Sequence, residues 1–594
     1  MKRLFGGKNR EKEIDILQEE AMQSPMRTVV KNFVSNKLAM GGLLIFLFIF
    51  LVVLIGPIFY PIQLSEKEET QTNVSPGLDM MDVPDELVGN VKEISTGSTF
   101  SVGVDNNGKV YVWGRTQISS KVDVKEDMPS QEELGHVVSV SAGYDHIMAL
   151  NDQGEIICWG SDRMGQLKVP MEATRKGDII QIAAGYQMSF VLTERGEVIF
   201  WGNENLNDVR ATRKNGNGNI AEIAVANNTL MALTKDGAVV HMGKSGSDLH
   251  NVPKDMGKVV DIATTSNTCA ALTEDGKIYT WGKASKSEIT APEYEGNVIA
   301  MTGGRYHFNI LTDEGKIYSW GKNDKHQTDV PRSANNVTAI YSGSYQNYAV
   351  TDSGKIVTWG LKGYLMGSDD LGRDVFSRLL NGGRMTMTIG AISVIISTLI
   401  GIIIGGISGF FGGWVDIFLQ RVTEIVSSLP FLPMAMILTS IIGNSLSENA
   451  RIALIMVVLG VLNWPSLARL VRAQVLAERE KEFVTAANAM GVKRISIVFR
   501  HIIPNVISVI IVSATLDFAS CMLTESTLSY LGFGVKLPRP TWGNMLNGCV
   551  NSVVIKNYWW RWAFPAIMLS ICVICINMIG DGLRDAIDPK SNER

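Results

Sequence analysis

Few residues in this sequence have the types and spacing that enzymatic or metal chemistry requires. The six cysteines show no metal-ligand spacing, and Cys572 and Cys575 lie three residues apart in an apolar run, where we expect packing and not a redox pair. His146 and His307 occupy the same position after Ala-Gly and Gly-Gly, as a repeated unit would produce. Because no acid, base and nucleophile set recurs outside that repeat, the sequence does not favour an enzyme and predicts no cofactor and no metal.

Two carboxylates differ from the rest because they lie within or beside an apolar stretch. Asp517 falls inside the stretch, and Glu525 follows it. An ionisable side chain in a membrane helix is costly unless it faces the bundle interior or water, so both residues are candidates for a translocation path. For Asp517, a structural hydrogen bond to a neighbouring helix is an equal alternative.

The segment 478–505 has a pattern that suits docking better than chemistry. Its candidate docking residues are Thr485, Ala486, Ala487, Gly491, Lys493 and Arg494. Small side chains let another protein approach a helix backbone closely, and glycine supplies the left-handed residue that ends a helix. Spacing alone leaves an ordinary loop between membrane helices as an open alternative.

The length of 594 residues and the uneven distribution of apolar residues predict several domains. Residues 38–60 form an uncharged run long enough to cross a bilayer, further apolar runs follow residue 384, and the middle has the texture of a soluble domain. Basic residues precede the first run, so we expect an uncleaved span with a cytoplasmic N-terminus. A formal charge of −4 gives no reason to expect a nucleic acid partner.

Five further apolar stretches predict six membrane helices in total, with both termini in the cytoplasm. The stretches are about 385–411, 425–443, 452–475, 506–523 and 562–579. The loop between the fourth and fifth helices is rich in lysine and arginine, whereas the short loop before the fourth carries only Arg451. The positive-inside rule therefore predicts that residues 478–505 are cytoplasmic and that residues 91–360 lie outside.

Residues 91–360 contain an internal repeat. Seven units end in Trp-Gly or Met-Gly, from Gly114 to Gly360, and the closing glycines are separated by 39 to 46 residues. Each unit also contains a glycine at a hairpin turn, as in Asp275-Gly276. Seven small antiparallel sheets with this period predict a β-propeller. The repeat resembles the regulator-of-chromosome-condensation family of seven-bladed propellers, although its nucleotide-exchange activity does not follow from the fold.

Three parts of the sequence resemble permease subunits of ABC importers of the dipeptide, oligopeptide and nickel type. Residues 478–505 resemble their EAA loop, with Thr485 in place of the family's glutamate, which leaves any salt bridge of that carboxylate to the ATPase without a counterpart here. Residues 367–384 resemble the segment before their second span, and they also suit a charged amphipathic helix at the membrane interface. Residues 525–589 contain segments that resemble the permease ending.

These resemblances imply a multi-domain membrane protein, a six-helix α-helical permease with an inserted all-β seven-bladed propeller. The predicted parts are a cytoplasmic segment (1–37), the first transmembrane helix (38–60), a linker (61–90), an extracytoplasmic propeller (91–360), an interfacial amphipathic segment (361–384), a permease core with five helices and coupling loop 478–505 (385–582), and a cytoplasmic tail (583–594).

The resemblance also implies how such a permease works and with which partners. We expect a plasma-membrane transport subunit that moves a small solute, in particular a peptide, by alternating access. It would act with a second permease, two cytoplasmic ATPase subunits and an extracytoplasmic substrate-binding protein, and the propeller would be an external protein-interaction module. The alternative is a membrane-anchored surface receptor whose propeller binds an external protein or a wall polymer.

Overall fold

The computed structural model describes residues 25–174, 178–206, 208, 212, 214, 218–226, 229–243, 247–443 and 446–587. They form two compact units: residues 67–373, which contain the propeller, and a helical unit made from the sequence on either side of that range. Residues 1–24 of the predicted cytoplasmic segment and residues 588–594 of the predicted tail lie outside the described residues.

The described part of the helical unit begins with helices α1 (Pro25–Ser35) and α2 (Lys37–Phe59). Asn36 separates them because its side-chain oxygen accepts hydrogen bonds from the backbone N–H groups of Leu38 and Ala39, both at 3.1 Å, and so caps α2. The 23 residues of α2 are enough to cross a bilayer.

In its described residues, the propeller unit contains seven three-stranded antiparallel sheets and one additional two-stranded hairpin. The strands of blades one to three are β1 Val91–Thr96, β2 Phe100–Asp105 and β3 Val110–Gly114, then, after the hairpin of β4 Gln117–Ser119 and β5 Val122–Asp123, β6 Val137–Ala142, β7 His146–Asn151 and β8 Ile156–Gly160, and β9 Ile179–Ala184, β10 Met188–Thr193 and β11 Val198–Gly202. Those of blades four to seven are β12 Ile220–Ala226, β13 Thr229–Thr234 and β14 Val239–His241; β15 Val259–Thr264, β16 Thr268–Thr273 and β17 Ile278–Gly282; β18 Val298–Gly303, β19 His307–Thr312 and β20 Ile317–Gly321; and β21 Val337–Ser342, β22 Gln346–Thr351 and β23 Ile356–Gly360. Among the described connections between blades, two contain a short α-helix: α3 (Gln131–Leu134) and α4 (Lys286–Ile289).

Blades one and seven close the ring. Tyr348 of blade seven lies 2.9 Å from the Ser101 hydroxyl of blade one, and it accepts a hydrogen bond from the Trp113 indole at 3.1 Å. The Tyr348 and Trp113 rings also pack edge to face. The two ends of the repeat therefore meet through a fully buried polar and aromatic contact, as the predicted propeller requires.

The Ala-Gly element of the repeat is explained by close approach around the propeller axis. A Cβ atom on Gly97 would lie 2.6 Å from the carbonyl oxygen of Gly143, and a Cβ atom on Gly143 would lie 2.6 Å from that of Gly185. Because real side chains do not approach a carbonyl so closely, only glycine lets consecutive blades converge here. The repeated glycine therefore has a packing role.

The two segments that connect the propeller to the helices belong structurally to the propeller unit. Glu68 N–H donates to the Leu371 carbonyl at 2.8 Å, and Met80 N–H donates to the Lys362 carbonyl at 3.0 Å. We call residues 67–80 and 362–373 the strap. The predicted interfacial segment 361–384 is divided, because Arg373 pairs with Asp369 at 2.7 Å within the strap and the next helix begins only after Asp374, which caps it.

After the propeller, the described residues of the helical unit form ten α-helices. They are α5 Val375–Phe411, α6 Gly413–Ser428, α7 Phe431–Gly443, α8 Glu448–Arg479, α9 Glu482–Ala489, α10 Arg494–Ile497, α11 Ile503–Tyr530, α12 Trp542–Asn547, α13 Ser552–Asn557 and α14 Trp560–Ile587. A π-helical turn (Val498–Ile502) joins α10 to α11.

Five helices within the described ranges are long and apolar enough to cross a membrane: α2, α5, α8, the run from α10 through α11, and α14. Helices α6 and α7 qualify as a sixth span only when taken together, and they are bent by 81° at their break. Pro430 lies in that break, where it cannot donate a backbone hydrogen bond. The predicted span 425–443 is therefore two helices at an angle.

Candidate functional site

The predicted docking segment contains a short helix held at a sharp corner. Helix α8 ends at Arg479, and α9 begins at Glu482 after a single turn. At the other end of α9, Gly491 adopts φ +75° and its N–H donates to the Asn488 carbonyl at 3.0 Å, while Val492 N–H donates to the Ala487 carbonyl at 3.1 Å. A left-handed glycine just after the last helical turn is how such helices end, and it turns the chain back toward the bundle.

Helix α9 has one buried face that fixes it to the helical unit. Val484 is 1% exposed and Ala487 is 3% exposed. Both pack in an apolar cluster with Val471 and Val475 of α8 and with Ile497 of α10. Ala487, one of the predicted docking residues, faces its own bundle and anchors the helix.

The opposite face of α9 and the turn after it are open to solvent. Four of the predicted docking residues lie there with Gly491: Thr485, Ala486, Lys493 and Arg494. The structure adds two apolar side chains to this surface, Met490 at 77% exposure and Ile495 at 46%. We call these seven residues the docking face. Sequence reasoning did not name Met490 and Ile495. The available signal was an apolar residue directly before the turn glycine and another directly after the two basic residues.

The helix that leads into α9 is packed closely against α5. Gly405 and Gly409 of α5 face α8. A Cβ atom on Gly405 would lie 2.5 Å from the Ala468 carbonyl oxygen, and one on Gly409 would lie 2.7 Å from the Arg472 carbonyl oxygen. Small residues four apart let two helix backbones approach closely in a membrane protein. Helix α8 and the end of α5 therefore form a close-packed pair beside the docking face.

The two carboxylates predicted for a translocation path lie on α11 in different surroundings. Asp517 is partly buried, whereas Glu525 is 0% exposed. The Ser529 hydroxyl donates to Glu525 at 2.6 Å, and the hydroxyls of Thr386 and Thr541 are also hydrogen-bond partners. This enclosure favours a structural role for Glu525, and it leaves Asp517 as the more accessible of the two.

The histidines of the propeller link neighbouring blades. His146 Nε2 lies 2.9 Å from the Ser189 hydroxyl, and His307 Nε2 lies 2.7 Å from Asn347 Oδ1. Burial lowers the pKa of His307 to about 4, so its ring is neutral at physiological pH. Within the described residues, no group of three or more His, Cys, Asp or Glu side chains could hold a metal ion.

The strap is anchored on the propeller by one buried ion pair. Arg305 Nη2 lies 2.8 Å from Glu68 Oε1, with side-chain exposures of 9% and 6%. Thr70 also donates to Glu68 at 2.7 Å, and the Tyr345 hydroxyl donates to its other oxygen. Beside Thr70 a cavity of about 150 Å³, lined largely by serines and glycines, lies on the propeller axis.

Two further carboxyl groups are partly buried on neighbouring blades, Glu222 on blade four and Asp261 on blade five. Burial raises the pKa of Glu222 to about 8, and the charge of Asp261 contributes to this shift. Burial also raises the pKa of Asp261 to about 6, although Met301 N–H donates to its carboxylate at 3.1 Å and opposes the shift. We therefore expect the protonation of these two carboxyl groups to affect the stability of the propeller.

Comparison with known families matches both parts of this architecture. Residues 364–593 match the binding-protein-dependent transport system inner membrane component, and residues 24–76 match the N-terminal TM domain of oligopeptide transport permease C. Residues 91–117, 137–166, 259–287 and 298–327 match the regulator of chromosome condensation repeat.

Two curated relatives are permeases of peptide transport systems. The dipeptide transport system permease protein DppC of Alkalihalophilus pseudofirmus is 40% identical over 224 residues, which are 38% of this chain and 71% of the relative. The oligopeptide transport system permease protein OppC of Haemophilus influenzae is 41% identical over 231 residues, 39% of this chain and 72% of the relative. The chain belongs to the peptide permeases of ABC transporters. Its membership does not favour the alternative of a receptor with a simple membrane anchor.

Among solved structures, the permease chain is similar to human WBSCR16, with 19% identity, a TM-score of 0.36 and coverage of 46% of this chain and 86% of that one. It is also similar to a chain of the MetNI methionine ABC transporter, with 20% identity, a TM-score of 0.29 and coverage of 36% and 97%. The predicted helical permease with an inserted repeat propeller is confirmed by the family matches.

Proposed function

We propose that this permease imports peptides or similar small solutes by alternating access and that partner ATPases drive it through the docking face. Two cytoplasmic ATPase subunits would bind here and on a second, related permease, and ATP hydrolysis would occur in those subunits. An extracytoplasmic binding protein would deliver the solute. The protein would be a multi-pass plasma-membrane subunit with cytoplasmic termini.

The two-sided character of α9 carries this proposal. Val484 and Ala487 tie the helix to the bundle, so a force on its outer face reaches the membrane helices. Met490 contributes nothing to the permease's own core, yet it is an apolar side chain at 77% exposure beside two basic residues. An apolar centre with a polar rim is the usual composition of a protein interface. The side chain of Thr485 is exposed on the same surface, but it cannot form the salt bridge that a glutamate would make there.

For the propeller, we propose an extracytoplasmic role in binding another protein. It is built as a closed ring, and both of its connecting segments are fixed in the strap. The extracytoplasmic binding protein is the partner that the transport function supplies. Deletion of residues 91–360 should therefore weaken binding-protein association, and unchanged association would contradict this assignment.

The docking face can be tested with Met490→Glu. We expect the variant to lose co-purification of the ATPase subunits and ATP-driven peptide uptake, because the substitution places a charge in the centre of the interface. Met171→Glu in the propeller is a matched control, since Met171 is also highly exposed, at 88%. If Met490→Glu retains the ATPases and transports peptide at the wild-type rate, the docking face is not their binding site.

A further inference from the structure

One ion pair in the helical unit joins α6 to α8 close to the start of the docking segment. Arg472 of α8 binds Asp416 of α6 through two parallel contacts, Nε to Oδ1 at 2.7 Å and Nη2 to Oδ2 at 2.6 Å. The Ser408 hydroxyl of α5 also donates to Asp416 Oδ1, and Gln420 donates to that hydroxyl at 3.1 Å. A bidentate arginine–carboxylate pair fixes both distance and orientation, which a lysine cannot do.

The same turn of α8 also holds the end of α5. The backbone of Arg472 is the surface on which Gly409 packs, and about two helical turns further on Arg479 Nη1 donates to the carbonyl oxygens of Gly409 and Phe410 at 3.4 Å each. A basic side chain at a helix C-terminus satisfies carbonyl groups that have no partner within the helix. The corner between α5 and α6 is therefore attached to α8 at two points.

Helix α8 continues to Arg479, and α9 starts three residues later. A displacement of α9 consequently reaches Arg472 through a continuous helix about two turns long. From Arg472 the displacement reaches α6 through the ion pair with Asp416. It also reaches α5 through the close packing of Gly405 and Gly409 on α8, which we call the glycine seam.

We propose that Asp416 and Arg472 are positioning residues that transmit movement of the docking segment to the α5–α6 corner and to the bent α6–α7 pair. The inference rests on the proposed function, because it assumes that ATPases move α9. Without the pair, α9 would still bind the ATPases, and they would still hydrolyse ATP. The α6–α7 pair would no longer follow the movement, so hydrolysis would be separated from transport.

The experiment measures ATP hydrolysed per peptide imported by the complete complex in liposomes. For Asp416→Asn we expect this ratio to rise about tenfold, with the ATPases still bound, since neutralising one partner removes the charge-assisted bidentate contact. The exchange variant Asp416→Arg with Arg472→Asp should bring the ratio back to within about threefold of wild type, because it restores an opposite-charge pair.

Glu424→Gln provides a matched control on the same helix. Glu424 pairs with Arg421 at 2.6 Å, but both side chains are exposed, so the ratio should not change. An unchanged ratio in Asp416→Asn would overturn the proposal. A raised ratio that the exchange variant does not restore would also overturn it, because the pair would then have only a structural role. If wild-type complexes bind no ATPase or import no peptide, the proposed function fails instead.

Discussion

Gly491 offers the sharpest perturbation of the docking face. Its φ of +75° lies in the left-handed region, and a Cβ atom built on it would meet no other atom within 4 Å. Gly491→Val therefore introduces no clash within the permease and affects only the backbone conformation and the exposed surface. For a non-glycine residue the left-handed conformation costs about 1–2 kcal/mol, and valine is restricted further by its β-branch.

This cost predicts the size of the effect. A penalty of about 1–2 kcal/mol lowers the fraction of molecules with the correct turn by a factor of roughly 5–30. The bulk of valine on a surface that must be approached closely adds to the loss. We expect ATP-driven peptide uptake and retention of the ATPases on purification to fall by at least that factor. The bundle itself should remain folded, because Val484 and Ala487 keep their contacts.

Two variants separate backbone strain from the loss of a binding surface. Gly532→Val has the same type of cost, since Gly532 has φ +85° and no atom within 4 Å of its Cβ position, but it lies in the turn after α11. Gly491→Asn keeps a residue that tolerates the left-handed region. Uptake and ATPase retention are compared in detergent-purified and reconstituted complexes. Wild-type uptake by an intact Gly491→Val complex, or an equal loss in Gly532→Val, would show that the left-handed turn at Gly491 is not specifically required for ATPase docking.

Three further predictions concern stability. Because the folded-state pKa of Glu222, about 8, lies above its ordinary value of 4.5, its contribution to stability is complete below pH 4.5 and is lost as the pH rises through 8. Calorimetry of the full chain should show that the propeller unfolds at a lower temperature at pH 8 than at pH 5, and the corresponding loss of stability should be at most about 5 kcal/mol. Glu222→Gln should reduce this dependence on pH. Glu68→Gln leaves the buried Arg305 without its counterion, so we expect a loss of about 3–5 kcal/mol and faster proteolysis of the strap, whereas exposed Glu274→Gln should cost less than about 1 kcal/mol. Gly405→Leu should prevent stable folding of the helical unit, visible as a lower melting temperature or loss of the detergent-soluble monodisperse protein, because its side chain would meet a backbone carbonyl of α8. A wild-type melting temperature in Gly405→Leu would show that the glycine seam is not closely packed.

The propeller was predictable because its evidence repeats along the sequence. The Trp-Gly and Asp-Gly elements mark the ends and turns of each blade, and the structure gives the Ala-Gly element a reason in the close approach of Gly97 and Gly143 to their neighbours. The strap could not be predicted in the same way. Its ion pair joins Glu68 to Arg305 across most of the propeller sequence, and no local pattern indicates that these two residues meet.

The docking segment shows a similar division between local and tertiary information. The turn at Gly491 follows from a glycine at the end of a helix-prone segment. Which side of such a short helix is buried depends on what α8 and α10 place beside it. Spacing and resemblance could therefore include Ala487 in the docking segment but could not show that its side chain packs inward. Glu525 is comparable, because the hydroxyl groups that enclose it come from Thr386 and Thr541, which are distant in sequence.

The accumulation of a labelled peptide in liposomes tests the proposed ATP-driven import most directly. The liposomes contain this permease with its co-purifying subunits and binding protein. We predict that the peptide accumulates above its external concentration and that this accumulation requires ATP on the side of the docking face. Gly491→Val should reduce the accumulation at least fivefold. A permease that co-purifies with no ATPase, or peptide that merely equilibrates across the membrane at the same rate without ATP, would contradict the proposed import.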